Sequence, residues 1–267
     1  MKISRRLTIA DLQALKGQRQ LSMLRTETLE EAEAAERAGI DIVSVPPEMM
    51  GPAFREAAPT IFAIPGLVFG EYVTTDDYLR GAARAIQAGG DAVYCSASMP
   101  VVRRLRDEGI PVCGHSGLVP SRCTWTGGFK AVGKTLDSAQ LVWNQVRALE
   151  EAGAFAAEIE VVPADIAAEI SRRTSLVMIS MGAGSGGDAQ YLFACDVLGY
   201  NTGHVPRHAR RYRDFAAEFA RLQAERVAAF SEFRADVDSG AYPEPRHSVG
   251  VDPEVLSRFR DFLDRQS

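Results

Sequence analysis

The sequence is poor in cysteine and contains no long apolar run. Its four cysteines, Cys95, Cys113, Cys123 and Cys195, form no CxxC pair, which argues against a zinc site and is typical of reduced cytoplasmic thiols. No apolar run approaches the roughly 18 residues of a membrane span. The N-terminus lacks the apolar core and cleavage site of a signal peptide. We therefore expect a cytoplasmic protein with no membrane partner.

An excess of positive charge is also missing. The net charge is −5, so no global basic field is available for nucleic acid phosphates. The one basic run, 207–213, lies beside Asp214 and Glu218. We interpret this run as the solvated start of a helix. The phosphate loop GxxxxGK[ST] and the zinc motif HExxH are absent as well. These absences favour a small-molecule substrate over nucleic acid.

What the sequence does contain is an alternation of helical and strand-like segments. Helical segments end at a glycine (Gly39, Gly90, Gly109 and Gly153), and a short apolar segment follows each of them. This order predicts parallel strands joined by right-handed helical crossovers. We expect strands at 20–24, 40–45, 60–64, 91–95, 110–113, 154–160 and 175–181, and helices at 29–38, 48–57, 76–88, 100–108, 138–152 and 164–173.

Seven or eight such strands favour a closed (β/α)₈ TIM barrel. The alternative, an open doubly wound sheet, usually has a glycine-rich turn after its first strand, and 25–27 reads Arg-Thr-Glu. A long helical pattern at 207–234, a turn-rich strap and a short amphipathic segment at 253–262 follow the barrel. We therefore predict one domain over 1–267, with a C-terminal helical extension at about 205–267.

Polar side chains at the carboxyl ends of barrel strands are the candidate site, because chemistry lies at that face. His115 follows the segment 110–113, and Gly114 and Gly117 allow a ligand or a strand to approach closely. His115 is predicted to contact the substrate, or alternatively to cap the strand. Glu160 ends the apolar segment 154–160, and an acid at the mouth end of an apolar strand is predicted to act as a general base. Glu158 lies on the same face, one layer deeper.

Further polar groups follow other predicted strands. Tyr94 and Ser96 follow the fourth strand, and Glu71 follows the third. Gly182 and Gly184 follow the seventh strand, where backbone amides often bind phosphate or carboxylate oxygens. A tight loop is the alternative interpretation of these glycines. Tyr94 is predicted to be catalytic and the other four to bind substrate.

Several stretches of the chain resemble the ketopantoate hydroxymethyltransferases. They are GIPVCGHSGLVPS at 109–121, the segments 148–170 and 181–199, and the tail 239–248. The resemblance implies a barrel of the phosphoenolpyruvate/pyruvate superfamily, packed as a homodecamer or another homo-oligomer. It also implies transfer of a hydroxymethyl group from methylenetetrahydrofolate to a branched 2-oxo acid, with magnesium polarising the oxo group.

Carried over by position, Glu160 falls on the family's proton-abstracting glutamate and His115 on its substrate-contacting histidine. The metal residues do not carry over. The second strand runs into Pro46-Pro47-Glu48 where the family has a Gly-Asp-Ser loop, and Gly66 stands where the third strand has an aspartate. The fourth strand reads Val93-Tyr94-Cys95-Ser96 where the family has Val-Lys-Leu-Glu.

These departures predict a divergent, metal-independent relative that needs no cofactor. It would act on a small 2-oxo acid or related carbonyl compound by aldol- or lyase-type acid/base chemistry, with the Tyr94 hydroxyl in place of a cation. One alternative is the family reaction with magnesium and methylenetetrahydrofolate, the metal site being rebuilt from Glu48, Glu71 or Asp76–Asp77. Another is a non-catalytic, ring-forming homologue.

Overall fold

The computed structural model describes residues 5–266, and the chain divides into two compact units, residues 1–213 and 214–267. The first unit is built on one sheet of eight strands in the order β3-β2-β1-β8-β7-β6-β5-β4. All paired strands are parallel. The strands are β1 Leu21–Arg25, β2 Ile42–Val45, β3 Phe62–Pro65, β4 Val93–Tyr94, β5 Val112–Gly117, β6 Ala156–Glu160, β7 Val177–Met181 and β8 Ala189–Phe193.

A bridge between Gly66 and Tyr94 joins the two outer strands, β3 and β4, and closes the sheet into a barrel. This closure removes both sheet edges and directs all eight carboxyl ends to one mouth. The predicted (β/α)₈ barrel is therefore confirmed.

Helices alternate with these strands. They are α1 Ile9–Leu15, α2 Leu29–Ala38, α3 Pro52–Ala57, α4 Thr75–Gln87, α5 Met99–Asp107, α6 Leu136–Glu151, α7 Ala164–Ser171 and α8 Ala194–Leu198. Local signals set their ends. In α2, the Thr28 side chain caps the first turn and Gly39 ends the helix with a left-handed φ of 78°. The bounds of α2 match the prediction.

Two apolar layers hold the barrel together. Met23, Ile42, Phe62 and Ile179 are buried among the side chains that fill the barrel interior. A second layer packs strands such as β5 and β6 against the helices outside them, with Leu149 of α6 buried there. Removing a large buried side chain such as Phe62 would cost about 3–5 kcal/mol of unfolding free energy. The strand ends that form the mouth are therefore supported by a packed apolar core.

The structure corrects two predicted elements and adds one strand that was not predicted. The fifth strand runs through Gly117, so His115 lies within β5 and not beyond it. The eighth strand, Ala189–Phe193, was not predicted. The helix expected from residue 207 begins only at Phe215, so the basic run 207–213 is not a helix start.

The second unit consists of α9 Phe215–Ser239 and α10 Pro253–Asp264. Asp214 caps α9, and Gly240 ends it with a φ of 75°. The predicted C-terminal helix is present, whereas the assignment of the whole chain to one domain stays a prediction. No helix within residues 5–266 is both long enough and apolar enough to cross a membrane.

Candidate active site

Three neighbouring strands bring four polar side chains together at the barrel mouth. Strand register pairs His115 of β5 with Glu158 of β6, and Gly117 with Glu160. Tyr94 of β4 pairs with Cys113, two residues before His115. Because alternate residues of a strand share one face, Tyr94, His115, Glu158 and Glu160 all project into the barrel.

These four side chains, Tyr94, His115, Glu158 and Glu160, form a chain of polar contacts that we call the relay. The Tyr94 hydroxyl is hydrogen-bonded to Nδ1 of His115 and lies within hydrogen-bonding reach of Glu158. Nε2 of His115 lies 2.9 Å from the Leu118 carbonyl oxygen and 3.0 Å from Oε2 of Glu160. Since both groups are acceptors, Nε2 carries a proton and donates it. The relay therefore runs from Glu158 through Tyr94 and His115 to Glu160.

The relay is buried, and burial shifts its proton affinities. Burial raises the pKa of Glu158 against the opposing charge of His115, and the nearby Glu160 carboxylate raises it further. Burial disfavours the imidazolium form of His115, yet its pKa is raised overall because Glu158 and Glu160 face the ring. Burial also raises the pKa of Tyr94, so its hydroxyl remains a hydrogen-bond donor. The relay thus holds exchangeable protons in a low-dielectric interior.

Glycines and one strained residue position the relay. A side-chain carbon at Gly114 would lie 2.3 Å from Leu149, so this glycine makes room for α6 rather than for a ligand. At Gly117, with a φ of 81°, such a carbon would lie 2.5 Å from the Glu160 carbonyl oxygen. Val161, directly after Glu160, has a φ of 48°, which is rare for a β-branched residue. The chain therefore turns sharply where Glu160 meets the cavity.

The opposite side of the mouth carries different groups. Arg25 ends β1, and its Nε donates to Oε1 of Glu27 at 2.6 Å. Its Nη1 lies 3.3 Å from the Ser44 hydroxyl oxygen of β2. Gly66 follows β3, and a side-chain carbon there would lie 3.5 Å from Nη1 of Arg25. A guanidinium and small uncharged residues thus face the relay.

A cavity of about 370 Å³ lies between these two sides. A larger cavity of about 730 Å³ also reaches Glu160 and carries Lys130, Lys134, Arg207 and His208. The predicted residues Tyr94, Ser96, His115 and Glu160 line the smaller cavity, and so does Glu158. The predicted residues at these strand ends therefore lie together on one side of this cavity, and their roles stay predictions.

Other predicted residues lie elsewhere. Glu71 is exposed and lines neither cavity. Gly182 lines the larger cavity, but the His208 ring occupies the space beside its α-carbon. Gly184 packs against Ala164, and its carbonyl oxygen accepts hydrogen bonds from Ser180 and Gln190. Both glycines therefore have the packing of a tight loop.

The suggested replacement metal ligands are also remote from the cavity. Glu48 and Asp76 are exposed and do not line it. Asp77 forms the capping box of α4 with Thr74, as its position predicted. These residues therefore give no support to a rebuilt metal site.

Sequence reasoning missed several cavity residues: Arg25, Ser44, Tyr191 and Phe193 in the smaller cavity, and Lys130, Arg207 and His208 in the larger. Arg25 carried a usable signal, because it is a charged residue at the end of an apolar strand. His208 carried none, since its approach to Gly182 depends on a loop path.

The fold and the polar barrel mouth are those of a TIM-barrel enzyme. Among solved structures, the chain is similar to a phosphoenolpyruvate phosphomutase from Streptomyces platensis subsp. rosaceus (TM-score 0.50, 15% identity, 97% of this chain and 99% of that one). It is also similar to a 2,3-dimethylmalate lyase of the PEP mutase/isocitrate lyase superfamily (TM-score 0.51, 14% identity, 97% and 99%). At these identities the likeness shows the fold alone.

Sequence comparison places the chain more narrowly. The family model described as ketopantoate hydroxymethyltransferase matches residues 47–245. The 3-methyl-2-oxobutanoate hydroxymethyltransferase of Nitratidesulfovibrio vulgaris (strain DP4) is 32% identical over 98% of this chain and 91% of its own. The enzyme of that name from Kosmotoga olearia is 34% identical over 87% and 93%. The chain belongs to the ketopantoate hydroxymethyltransferase family, and its sequence relatives are transferases.

The residues present do not fit the magnesium that the resemblance implies. Pro47 and Gly66 offer no carboxylate at the ends of β2 and β3. Within residues 5–266, the His115, Glu158 and Glu160 ligand atoms do lie within 4.8 Å of one another. However, both nitrogens of His115 are already hydrogen-bonded, and magnesium requires near-octahedral oxygen ligands. The donor set therefore suits proton transfer better than this metal.

Proposed function

We propose that this protein is an enzyme that removes a proton next to the carbonyl of a small 2-oxo acid without a divalent cation. The observation that carries this proposal is the relay, whose Glu160 end opens into the 370 Å³ cavity. A cavity of this size suits a compact acid.

In the proposed reaction Glu160 is the general base. Its carboxylate takes the proton from the carbon beside the carbonyl, the C–H electron pair forms the enolate double bond, and the carbonyl oxygen gains the negative charge. The Nε2–H of His115, which donates to the Leu118 carbonyl oxygen, also lies 3.0 Å from Oε2 of Glu160 and stabilises the carboxylate in this position. A positioned base of this kind contributes about 10²–10⁴-fold to a rate.

We assign Tyr94 to the relay and not to polarisation of the substrate carbonyl, the role predicted from the sequence. Its hydroxyl is hydrogen-bonded to Nδ1 of His115 and so fixes the ring whose Nε2–H faces Glu160. Glu158, which is only 4% exposed, lies at the buried end of the relay.

The enolate then attacks a one-carbon electrophile or, in the reverse sense, arises from C–C cleavage. The names of the curated relatives favour addition of a hydroxymethyl group to 3-methyl-2-oxobutanoate. Enolate formation is common to both directions, so it is the step to test first.

The test is exchange of the C3 hydrogen of 3-methyl-2-oxobutanoate in D₂O with EDTA, followed by proton NMR. The methyl doublet should collapse with wild-type protein and stay unchanged with the Glu160→Gln variant. Exchange that requires added magnesium would contradict the proposal and support the metal-dependent family reaction. Absence of exchange under both conditions would contradict proton abstraction from this class of acid.

A further inference from the structure

Arg25 is the one lysine or arginine among the described residues that line the smaller cavity. Its side chain is 19% exposed, whereas its partner Glu27 is 50% exposed. The ion pair between them is therefore formed at the rim, where such pairs contribute little to stability. This pair alone does not account for a guanidinium held in the mouth of the barrel.

The hydrogen-bonding capacity of Arg25 is only partly used. Nε donates to Glu27, and Nη1 makes a 3.3 Å contact with the Ser44 hydroxyl oxygen. Nη2 has no acceptor within residues 5–266. A guanidinium has five N–H donors in a fixed fork that matches a carboxylate. The unused donors leave room for a bidentate anionic partner.

Gly66 keeps the surroundings of Arg25 open. A side-chain carbon at Gly66 would lie 3.5 Å from Nη1, and the next contact, the Val45 carbonyl oxygen, is at 4.0 Å. A larger acidic side chain there would reach the guanidinium and neutralise it. With glycine at this position, the space remains free and the positive charge stays available.

The cavity is consequently bipolar. Glu158 and Glu160 lie on the β6 side, and Arg25 lies at the end of β1. An anionic substrate group beside the two acids would be repelled, the more strongly because the site is buried. The same group beside Arg25 would form charge-assisted hydrogen bonds. This charge distribution fixes which end of an acid faces Glu160.

We propose that Arg25 binds the carboxylate of the substrate and thereby turns its reactive carbon toward Glu160. The choice of a 2-oxo acid rests on the function proposed above, whereas the preference for an anionic ligand rests on Arg25 itself. Arg25 is in this view a specificity-determining residue that supplies the fixed positive charge of the site.

The test compares binding of 3-methyl-2-oxobutanoate and its neutral amide by calorimetry in EDTA. Wild-type protein should prefer the acid. Arg25→Met should weaken binding of the acid by about 10- to 100-fold, the usual loss for a hydrogen bond to a charged group, and leave binding of the amide nearly unchanged. Arg25→Lys should be intermediate, because an ammonium cannot form the planar fork. Arg37→Met, at an exposed arginine of α2, controls for net charge.

Three results would overturn the inference. Wild-type protein could fail to bind the acid, the Arg25→Met variant could bind the acid as tightly as wild type, or that variant could lose acid and amide equally. The last result would indicate a structural role. Thermal unfolding of each variant checks that the fold is intact.

A second pair of variants tests the same point without changing Arg25. Gly66→Asp should place a carboxylate against the guanidinium and weaken acid binding by about 10-fold or more. Gly66→Ala adds volume without charge and serves as the matched control. Equal effects of the two substitutions would contradict an electrostatic role for Arg25.

These measurements separate the inference from the proposed function. Arg25-dependent binding of the acid without C3 exchange would leave the inference standing and refute the function. C3 exchange with no dependence of acid binding on Arg25 would do the reverse.

Discussion

The two sides of the barrel mouth differ in both charge and chemistry. The β4–β6 side carries the relay, which includes His115 and Glu160, the two residues that the resemblance places on the family's substrate-contacting histidine and proton-abstracting glutamate. The β1–β3 side carries Arg25, Ser44 and Gly66, although the resemblance assigns metal carboxylates to the ends of β2 and β3. Proton transfer and charge stabilisation are therefore separable parts of this site.

Electrostatics links these differences to the proposed metal-free reaction. Carboxylates that hold a cation are balanced by its charge. Without a cation, such carboxylates would repel each other and the ionised acids across the mouth. Pro47 and Gly66 add no repulsion of this kind, and Arg25 places one positive charge in the smaller cavity. The predictions below test this contrast between the two sides.

The largest effect is expected on the relay side, for Glu160→Gln. The amide keeps the shape of the side chain but cannot take a proton, so C3 exchange should fall by about 10³-fold or more. The thermal midpoint should stay the same or rise, because a buried charge is removed. Exchange is measured by NMR and unfolding by circular dichroism.

Glu71→Gln is the matched control for this variant, since Glu71 is exposed and lines neither cavity. A Glu160→Gln protein that exchanges nearly as fast as wild type would remove Glu160 from the mechanism. The β4–β6 side of the mouth would then not be the catalytic side.

A smaller effect is expected when the relay is interrupted. Tyr94→Phe removes the hydroxyl that joins His115 to Glu158 but keeps the ring in place. The rate of exchange should fall by about 10- to 100-fold, since Glu160 remains and only its orientation by His115 suffers. Initial rates at several pH values measure this loss.

Tyr78→Phe, at a buried tyrosine of α4 outside both cavities, is the control for this variant. If both variants lose activity to the same extent, the effect of Tyr94→Phe reflects packing. The hydroxyl would then not link the relay.

Burial of Glu158 predicts a modest effect on stability. A raised pKa in the folded state means that the associated stability is fully present below the unfolded value of about 4.3 and is lost as pH rises through the folded pKa. Glu158→Gln should therefore raise the free energy of unfolding at pH 7.5 by about 1 kcal/mol. At pH 4.5 the difference should be smaller. Urea unfolding at both pH values measures it, and a larger difference at pH 4.5 would contradict the assignment.

On the relay side, the end of β6 was predictable because its signal is local. Glu160 is an acid at the end of an apolar strand, and that position leads directly to a barrel mouth. Similarly, the bounds of α2 follow from Thr28 and Gly39, which act within one turn of the helix. Signals of this kind depend only on neighbouring residues, so they can be recognised in the sequence without knowledge of the tertiary contacts.

The remainder depends on neighbours that the sequence does not reveal. The predicted fifth strand ended before Gly114, but pairing with β6 continues β5 through His115 to Gly117. Strand β8 was missed because it follows a glycine-rich turn, although Ala189 and Tyr191 alternate inward. Arg25 was read only as the residue before a turn, because its relation to Gly66 arises from closure of the barrel.

The smallest effect is expected from metal ions. If Arg25 supplies the positive charge, removal of divalent cations with EDTA should change the rate of C3 exchange by less than about twofold, since the described residues at the ends of β2 and β3 that line the smaller cavity offer no carboxylate for magnesium. Elemental analysis of the dialysed protein should find little magnesium, and adding it back should not increase the rate. A large, saturable stimulation that disappears in the Glu158→Gln variant would locate a cation at the relay. The two sides of the mouth would then share the charge-stabilising role, and the contrast between them would fail.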